Sequence, residues 1–188
     1  MAGSRILERY YPRIRRFFQN KAASASDELT QQVFLGCARN LHTLRSTTPS
    51  SFRAFLFRIA HHRLIDHYRS RSRSPIDFSL ISAVALDPSP SRLVARREEE
   101  QLLLDALRQI PVEYQIVLEL FYWESMTAAE ISEIVGIPLG TAKTRLRRGK
   151  QLLAEQIEAL NTQPAVRERT ITNLQVWADN IKQHIQKK

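Results

Sequence analysis

Residues 126–153, MTAAEISEIVGIPLGTAKTRLRRGKQLL, decide how this chain is read. Thr127 stands at an N-cap position with Glu130 three residues on, the spacing of a capping box in which two backbone N–H groups are satisfied reciprocally. The short helix it starts carries Ile131, Ile134 and Val135 and stops at Gly136. A second helix opens near Pro138, whose missing N–H costs nothing in a first turn. Ala142, Leu146 and Leu153 form a stripe that can pack on the first helix. Thr144, Arg147, Arg148 and Gln151 point away from it, with Lys143 and Arg145 on its flanks. A cationic amphipathic helix alone would be an ordinary solvated surface. The cap, the glycine stop and the short first helix turn it into a helix-turn-helix, whose second helix can reach phosphates and base edges in a major groove.

The rest of the composition bounds what such a motif is attached to. A length of 188 residues holds one medium domain or two small ones, and 43% hydrophobic content suffices for helical cores. The 28 Lys plus Arg exceed the 19 Asp plus Glu, giving a net charge of +9. That excess is uneven: Met1 to Pro75 carries 14 basic and 4 acidic residues, whereas Glu99 to Leu160 carries 6 and 10. The N-terminal third is thus a broad electropositive body suited to a polyanion, and the acidic C-terminal half focuses five cations between Lys143 and Lys150.

Cys37 is the sole cysteine, so no intramolecular disulfide or cysteine metal cage is available and a reducing compartment fits. No apolar run has the length of a membrane span, and the N-terminus lacks the apolar core of a signal peptide, so a cytoplasmic protein without membrane insertion is expected. Ile6, Leu7, Tyr10, Tyr11, Ile14, Phe17 and Phe18 could mimic an amphipathic anchor among arginines, but core packing is the expected use of that stripe. There is no nucleotide-binding glycine loop, metal-ligand spacing or triad order, so neither an enzyme nor a cofactor is expected. The adjacent His61 and His62 make a poor metal pair, because neighbours on a helix point about 100° apart.

Helical periodicity dominates, and no stretch reads as a strand, so the chain is expected to be all-α. The pattern predicts a helix over about Arg5 to Asn20. A second starts near Asp27 with Leu29, Val33, Cys37 and Leu41 on one face, and a third runs from Phe52 to Arg71. The third has a wide apolar arc of Phe52, Phe55, Leu56, Ile59, Ala60 and Leu64, interrupted by Arg63, for which an ion pair with Asp66 is expected. From Ser74 the periodicity fades into a serine- and proline-containing stretch that reads as a linker. Helix resumes at about Leu93, breaks at Ile110-Pro111 and continues to about Trp123 before the helix-turn-helix; the spacing of Tyr114, Val117, Leu118, Phe121, Tyr122 and Trp123 is that of core residues. After Pro164 a last amphipathic helix carries Ile171, Leu174, Trp177, Ile181 and Ile185.

Taken in order, DELTQQVFLGCARNL, FRAFLFRIAHHRLIDHYRSRSR and LLLDALRQIPVEYQIVLELFYWESMTAAEISEIVGIPLGTAKTRLRRGKQLL resemble regions 2 and 4 of a bacterial sigma factor, most of all the small extracytoplasmic-function (ECF) group. The resemblance spans about Ile6 to Leu160. It implies two small helical domains: region 2 as a three-helix core over 1–73 and region 4 with its helix-turn-helix over 93–160. A flexible linker over 74–92 joins them, and a C-terminal amphipathic helix extends over 161–188.

The resemblance further implies binding to core RNA polymerase through its clamp helices and flap, and promoter recognition on both duplex and single-stranded DNA. Glu28, Gln31, Gln32 and Leu35 then face the clamp, although Glu28 and Gln32 replace the aspartate and glutamate usual in D-L-T-Q-E-V-F. The turn with Arg45, Ser46, Thr47 and Thr48, followed by Phe52, corresponds to the loop that takes a flipped minus-10 base. Arg53, Arg58, His61, His62 and Arg69 lie along the strand-opening helix, Phe55 standing for the usual tryptophan of F-R-A-W-L and His61-His62 for the usual Arg-Asn of I-A-R-N. Thr141, Lys143, Thr144, Arg145, Arg147 and Arg148 face the minus-35 element. An anti-sigma factor is a further partner the resemblance leaves open, as the role of the tail is. The competing reading is a helix-turn-helix regulator that touches promoters without joining polymerase. It explains 126–153 equally well but leaves the basic N-terminal domain and its DELTQQVF helix unused.

Overall fold

The computed structural model describes residues 2–40, 49–90, 93, 98–160, 164 and 176. Among them eight α-helices follow in order: α1 (Ala2–Gln19), α2 (Ser26–Asn40), α3 (Pro49–Arg71), α4 (Ala83–Leu86), α5 (Glu98–Gln109), α6 (Val112–Tyr122), α7 (Ala128–Val135) and α8 (Leu139–Leu160). A 3-10 turn, Ala23–Ala25, joins α1 to α2. No strand occurs among the described residues; the β-type pairing they show is an isolated bridge between Ser82 and Pro111. The all-helical expectation therefore holds.

The first three helices close around a core built from their helical stripes. Ile14, Phe17 and Phe18 of α1 meet Leu29 and Val33 of α2 and Leu56, Phe57, Ala60 and Leu64 of α3, all buried. Phe17 lies edge-on to both Phe18 and Phe57, with ring centroids 5.3 and 5.8 Å apart, a favoured aromatic geometry. The N-terminal aromatic stripe is thus used for packing, and no described helix is long and apolar enough to cross a membrane.

Two expectations for α3 are corrected. Phe55 and Ile59 are only partly buried, while Phe57, outside the predicted arc, is wholly so. The reason is that α3 is packed by α1, α2 and also α7, so more than one stripe is covered. Arg63 and Asp66 form no ion pair among the described residues; Arg63 instead reaches over α2, its Nη2 3.9 Å from the place a Cβ on Gly36 would take.

The second half wraps α5, α6 and α7 around α8. Leu103, Leu104 and Leu107 meet Ile116, Val117 and Leu120, with Ile131, Ile134, Leu153 and Ile157 completing the core. Of the α6 aromatic set, Val117, Leu118 and Trp123 are buried, and Tyr114, Phe121 and Tyr122 pack partly buried against the same core. The break before α6 falls at Ile110-Pro111 as the proline dictates.

The linker segment is bonded on both sides. Val112 N donates to Ile81 O at 2.9 Å, and Ser24 donates from both N and Oγ to Asp87 Oδ2 at 3.1 and 2.9 Å. Arg108 of α5 gathers three carbonyls, Asn20, Asp87 and Ser89, at 3.0, 2.6 and 2.9 Å. Burial disfavours the Asp87 carboxylate, but hydrogen bonds from Ser89 and Ser24 outweigh it and keep its pKa below the ordinary value. The helix expected after Pro164 falls, apart from Pro164 and Val176, outside the described residues.

Candidate nucleic-acid interface

The helix-turn-helix forms as its local chemistry requires. Thr127 Oγ1 accepts from Glu130 N at 3.2 Å while Glu130 Oε2 accepts from Thr127 N at 2.8 Å, completing the capping box that fixes the start of α7. Gly136 ends the helix at φ 73°, a left-handed conformation in which a side chain would be strained, and its N–H and that of Ile137 both close on Ser132 O. The chain then enters α8, whose buried stripe is Ala142, Leu146, Gly149, Leu153 and Ile157.

Gly149 is a packing position that the apolar pattern alone does not reveal. A Cβ there would stand 3.2 Å from Leu118 Cγ and 3.4 Å from Tyr114 Cβ, so the missing side chain sets how closely α8 approaches α6. That approach fixes the rotation of α8 and with it the direction of the cationic face. Thr141, Lys143, Thr144, Arg147 and Arg148 are all exposed on that face. Arg148 lies 3.7 Å from Glu155, a long contact between two half-exposed groups and hence a weak one.

Arg145 differs from its neighbours. It is half-buried and pairs with Glu113 of α6 at 2.7 Å. Burial raises the Glu113 carboxyl above its ordinary pKa, with Arg145 pulling the other way. The pair opens on a cleft of about 240 Å³ lined also by His61, Ile65 and Arg69 of α3, together with Phe78, Ile116, Val135 and Ile137.

Along α3, Arg58, His62 and Arg69 are exposed and can line a backbone rail, but Phe52, Arg53 and His61 sit otherwise. Phe52 is 8% exposed and edge-on to Tyr10 at 5.3 Å, so in this conformation it belongs to the core and offers no face to a base. Arg45, Ser46, Thr47 and Thr48 lie outside the described residues. His61 is pushed down to about 4, by burial first and then by His62, Arg145 and Arg69, and its Nδ1 is buried with no hydrogen-bond partner among the described residues. On α2, Glu28, Gln31 and Leu35 are exposed and Gln32 donates to Glu28 at 3.0 Å, so the four lie along one outer face that ends at Leu35, 58% exposed.

Sequence patterning missed the contacts between the two halves. Glu124, just past α6, takes Arg13 Nε at 2.7 Å and also Arg16 of α1. Lys21 pairs with Glu119 of α6, which also accepts from Gln115 at 2.7 Å. Arg53 donates through Nη2 to Glu130 Oε1 at 2.7 Å and through Nη1 to the Glu124 carbonyl at 3.0 Å. Burial opposes the Glu130 carboxylate, yet the Thr127 and Arg53 hydrogen bonds hold its pKa below the ordinary value. The one available signal was the charge asymmetry, a cationic N-terminal body in the same chain as an acidic C-terminal half.

Comparison with known proteins agrees with this architecture. Residues 6–74 match the family Sigma-70 region 2, and residues 100–153 match Sigma-70, region 4. The chain is 28% identical over 148 residues to the ECF RNA polymerase sigma factor SigW of Bacillus subtilis, covering 72% of this chain and 76% of that one. It is 27% identical over 145 residues to the ECF RNA polymerase sigma factor SigE of Mycolicibacterium smegmatis, covering 74% of this chain and 54% of SigE, so it spans about half the length of that relative. In fold it resembles the sigma factor RpoE of Bartonella quintana, solved in complex with the anti-sigma factor NepR. The TM-score is 0.64 at 17% identity, covering 84% of this chain and 97% of that one. A match to region 2 accounts for the basic N-terminal half that a simple helix-turn-helix regulator would leave unused. With both regions present in this order, the chain belongs to the sigma-70 family and is an ECF-type sigma factor, a protein of transcription initiation.

Proposed function

We propose that the chain joins core RNA polymerase in the cytoplasm and divides promoter recognition between its halves, 1–73 serving the clamp helices and the minus-10 element and 93–160 the minus-35 element. The observation that carries this is the outer face of α8, where Thr141, Lys143, Thr144, Arg147 and Arg148 stand exposed opposite a fully buried stripe. A recognition helix needs that division, one side fixed by packing and the other free for phosphates and base edges. The cations of region 2 give melted single strand a rail, Arg58 and Arg69 being exposed already. On α2 the exposed Leu35, with Glu28, Gln31 and Gln32 on one side of it, gives the clamp an apolar anchor with a polar edge.

Run-off transcription with core polymerase on a library of promoters tests the reading. Specific start sites that depend on this protein support it. Duplex binding without any start-site selection overturns it in favour of a regulator that acts without polymerase.

A further inference from the structure

Among the described residues, Arg53 is the one region 2 cation assigned to the melted strand that region 4 grips through a carboxylate. Its Nη2 is held by Glu130 and its Nη1 by the Glu124 carbonyl, and its Nε is buried. Two of the five N–H donors of the guanidinium are thus spent on region 4 and the buried Nε–H is closed to solvent, so a strand phosphate must share or displace the Glu130 carboxylate to take a two-point grip. The carboxylate that holds it is already in use at its other oxygen: Glu130 Oε2 takes Thr127 N and Oγ1 at 2.8 and 3.0 Å, while Oε1 alone faces Arg53. The capping box therefore aims one anionic oxygen of α7 at α3 as a by-product of starting the helix.

The position of this pair in the seam also matters. Lys21–Glu119 and Arg16–Glu124 are buried, with side chains at most 4% exposed, whereas Arg53 and Glu130 are 19% and 25% exposed at its rim. A phosphate from solvent can reach the rim pair and cannot reach the buried ones. Along the same seam Arg145 of the recognition helix is turned into the cleft with His61 and Arg69. DNA-facing groups of both halves thus meet each other.

We infer that Glu130 is an intramolecular competitor of single-stranded DNA, its carboxylate occupying on Arg53 the place a strand phosphate would take, so that the free chain is closed against the strand it must later hold. The inference rests on the functional reading above for the role of Arg53.

The substitution Glu130→Gln separates the two duties of this residue. Glutamine is accepted at the third position of a capping box. Its single carbonyl oxygen can serve Thr127, and the remaining amide N–H₂ cannot accept from Arg53. Glu133→Gln, exposed one turn further along α7, makes the same change of net charge with no partner on α3. Binding of full-length protein to a fluorescein-labelled oligodeoxythymidine 12-mer is measured for the wild type, both variants, Arg53→Ala and Arg53→Ala/Glu130→Gln, with thermal melts alongside.

Glu130→Gln should bind about two- to fivefold tighter than Glu133→Gln, the range set by a partly exposed ion pair, and should melt no more than a few degrees lower, because the same pair is lost from the free fold. The gain should vanish in the Arg53→Ala background. Equal affinities for the two glutamine variants, a gain that survives the loss of Arg53, or no oligonucleotide binding by any of them overturns the inference. Run-off transcription with core polymerase keeps the two readings apart: absence of initiation by the wild type strikes the proposed function, and equality of the glutamine variants strikes only the competitor.

Discussion

Lys21, in the turn after α1, and Glu119, in the middle of α6, form an ion pair across the two halves with both side chains withdrawn from water, at 0% and 2% exposure. The ammonium also lies 4.1 Å from the centroid of the Phe17 ring, and the Lys21 carbonyl accepts from Tyr68 Oη at 2.9 Å. Burial pushes the Lys21 pKa below its ordinary value, with Glu119 pulling it back. Such a pair is a weak source of net stability but a severe loss when halved, because the surviving charge stays buried without its partner.

Lys21→Met should therefore lower unfolding stability by about 3–5 kcal/mol, and Lys21→Met/Glu119→Leu should lower it by clearly less than the two single changes together. Urea midpoints of the three variants check this. Strict additivity would mean that the two charges do not depend on each other.

His61 links the seam to pH. Its pKa of about 4 against an ordinary 6.5 means the folded chain refuses a proton that the unfolded chain accepts. Stability should be unaffected above pH 7, fall as pH drops from about 6.5 to about 4 by at most roughly 3 kcal/mol, and take no further loss from this residue below that. His61→Gln should flatten that part of the urea-melt pH profile. An NMR titration should place His61 near 4 and move it upward, though not to 6.5, in Arg145→Gln, since Arg145 lies behind burial and His62 among the causes. A wild-type His61 that titrates at 6.5 removes the buried environment described here.

How much of this was legible beforehand depended on whether the cause was local. Thr127, Glu130 and Gly136 announce α7 because a cap and a left-handed stop are decided within a few residues, and the structure keeps each of them. The exposed face of α8 was legible for the same reason. Phe57 was not, because its burial depends on what packs against α3 from other parts of the chain. Arg145 stood on the flank of the stripe by the wheel and was grouped with the minus-35 cations by the resemblance, but a carboxylate 32 residues earlier turns it inward. Arg13, Arg16 and Lys21 read as a generic polyanion-binding surface, and nothing in their spacing says that Glu119 and Glu124 are anions they meet. The same holds for Arg108, whose three carbonyl partners are brought together only by the fold.

Gly149 should tolerate one carbon and no more. An alanine Cβ would press on Leu118, which borders a cavity of about 20 Å³ and can yield by a few tenths of an ångström. The helix gain of alanine over glycine, about 1 kcal/mol, offsets that strain. Gly149→Ala should fall within about 1 kcal/mol of the wild type, whereas Gly149→Val adds branches toward Leu118 and Tyr114 and should cost about 2 kcal/mol or more. Thermal melts read the difference. If valine is as stable as alanine, the close approach of α8 to α6 is not real.

The cations of α8 should separate by what holds them. Lys143 and Arg148 are exposed, and the Glu155 contact of Arg148 is long, so replacing either with alanine should leave stability within about 0.5 kcal/mol. If they contact phosphates, each change should weaken duplex binding almost equally for all sequences and reduce the slope of log affinity against log salt by about 1. A base-reading role would instead relax preference at one position. Arg145→Ala should behave differently: it strands the half-buried Glu113 as well as removing a cation, and so should lower the melting temperature together with duplex affinity. Anisotropy titrations over a salt series, using a promoter selected by run-off transcription, distinguish these outcomes. Unchanged binding in both Lys143→Ala and Arg148→Ala would show that this face of α8 does not meet DNA.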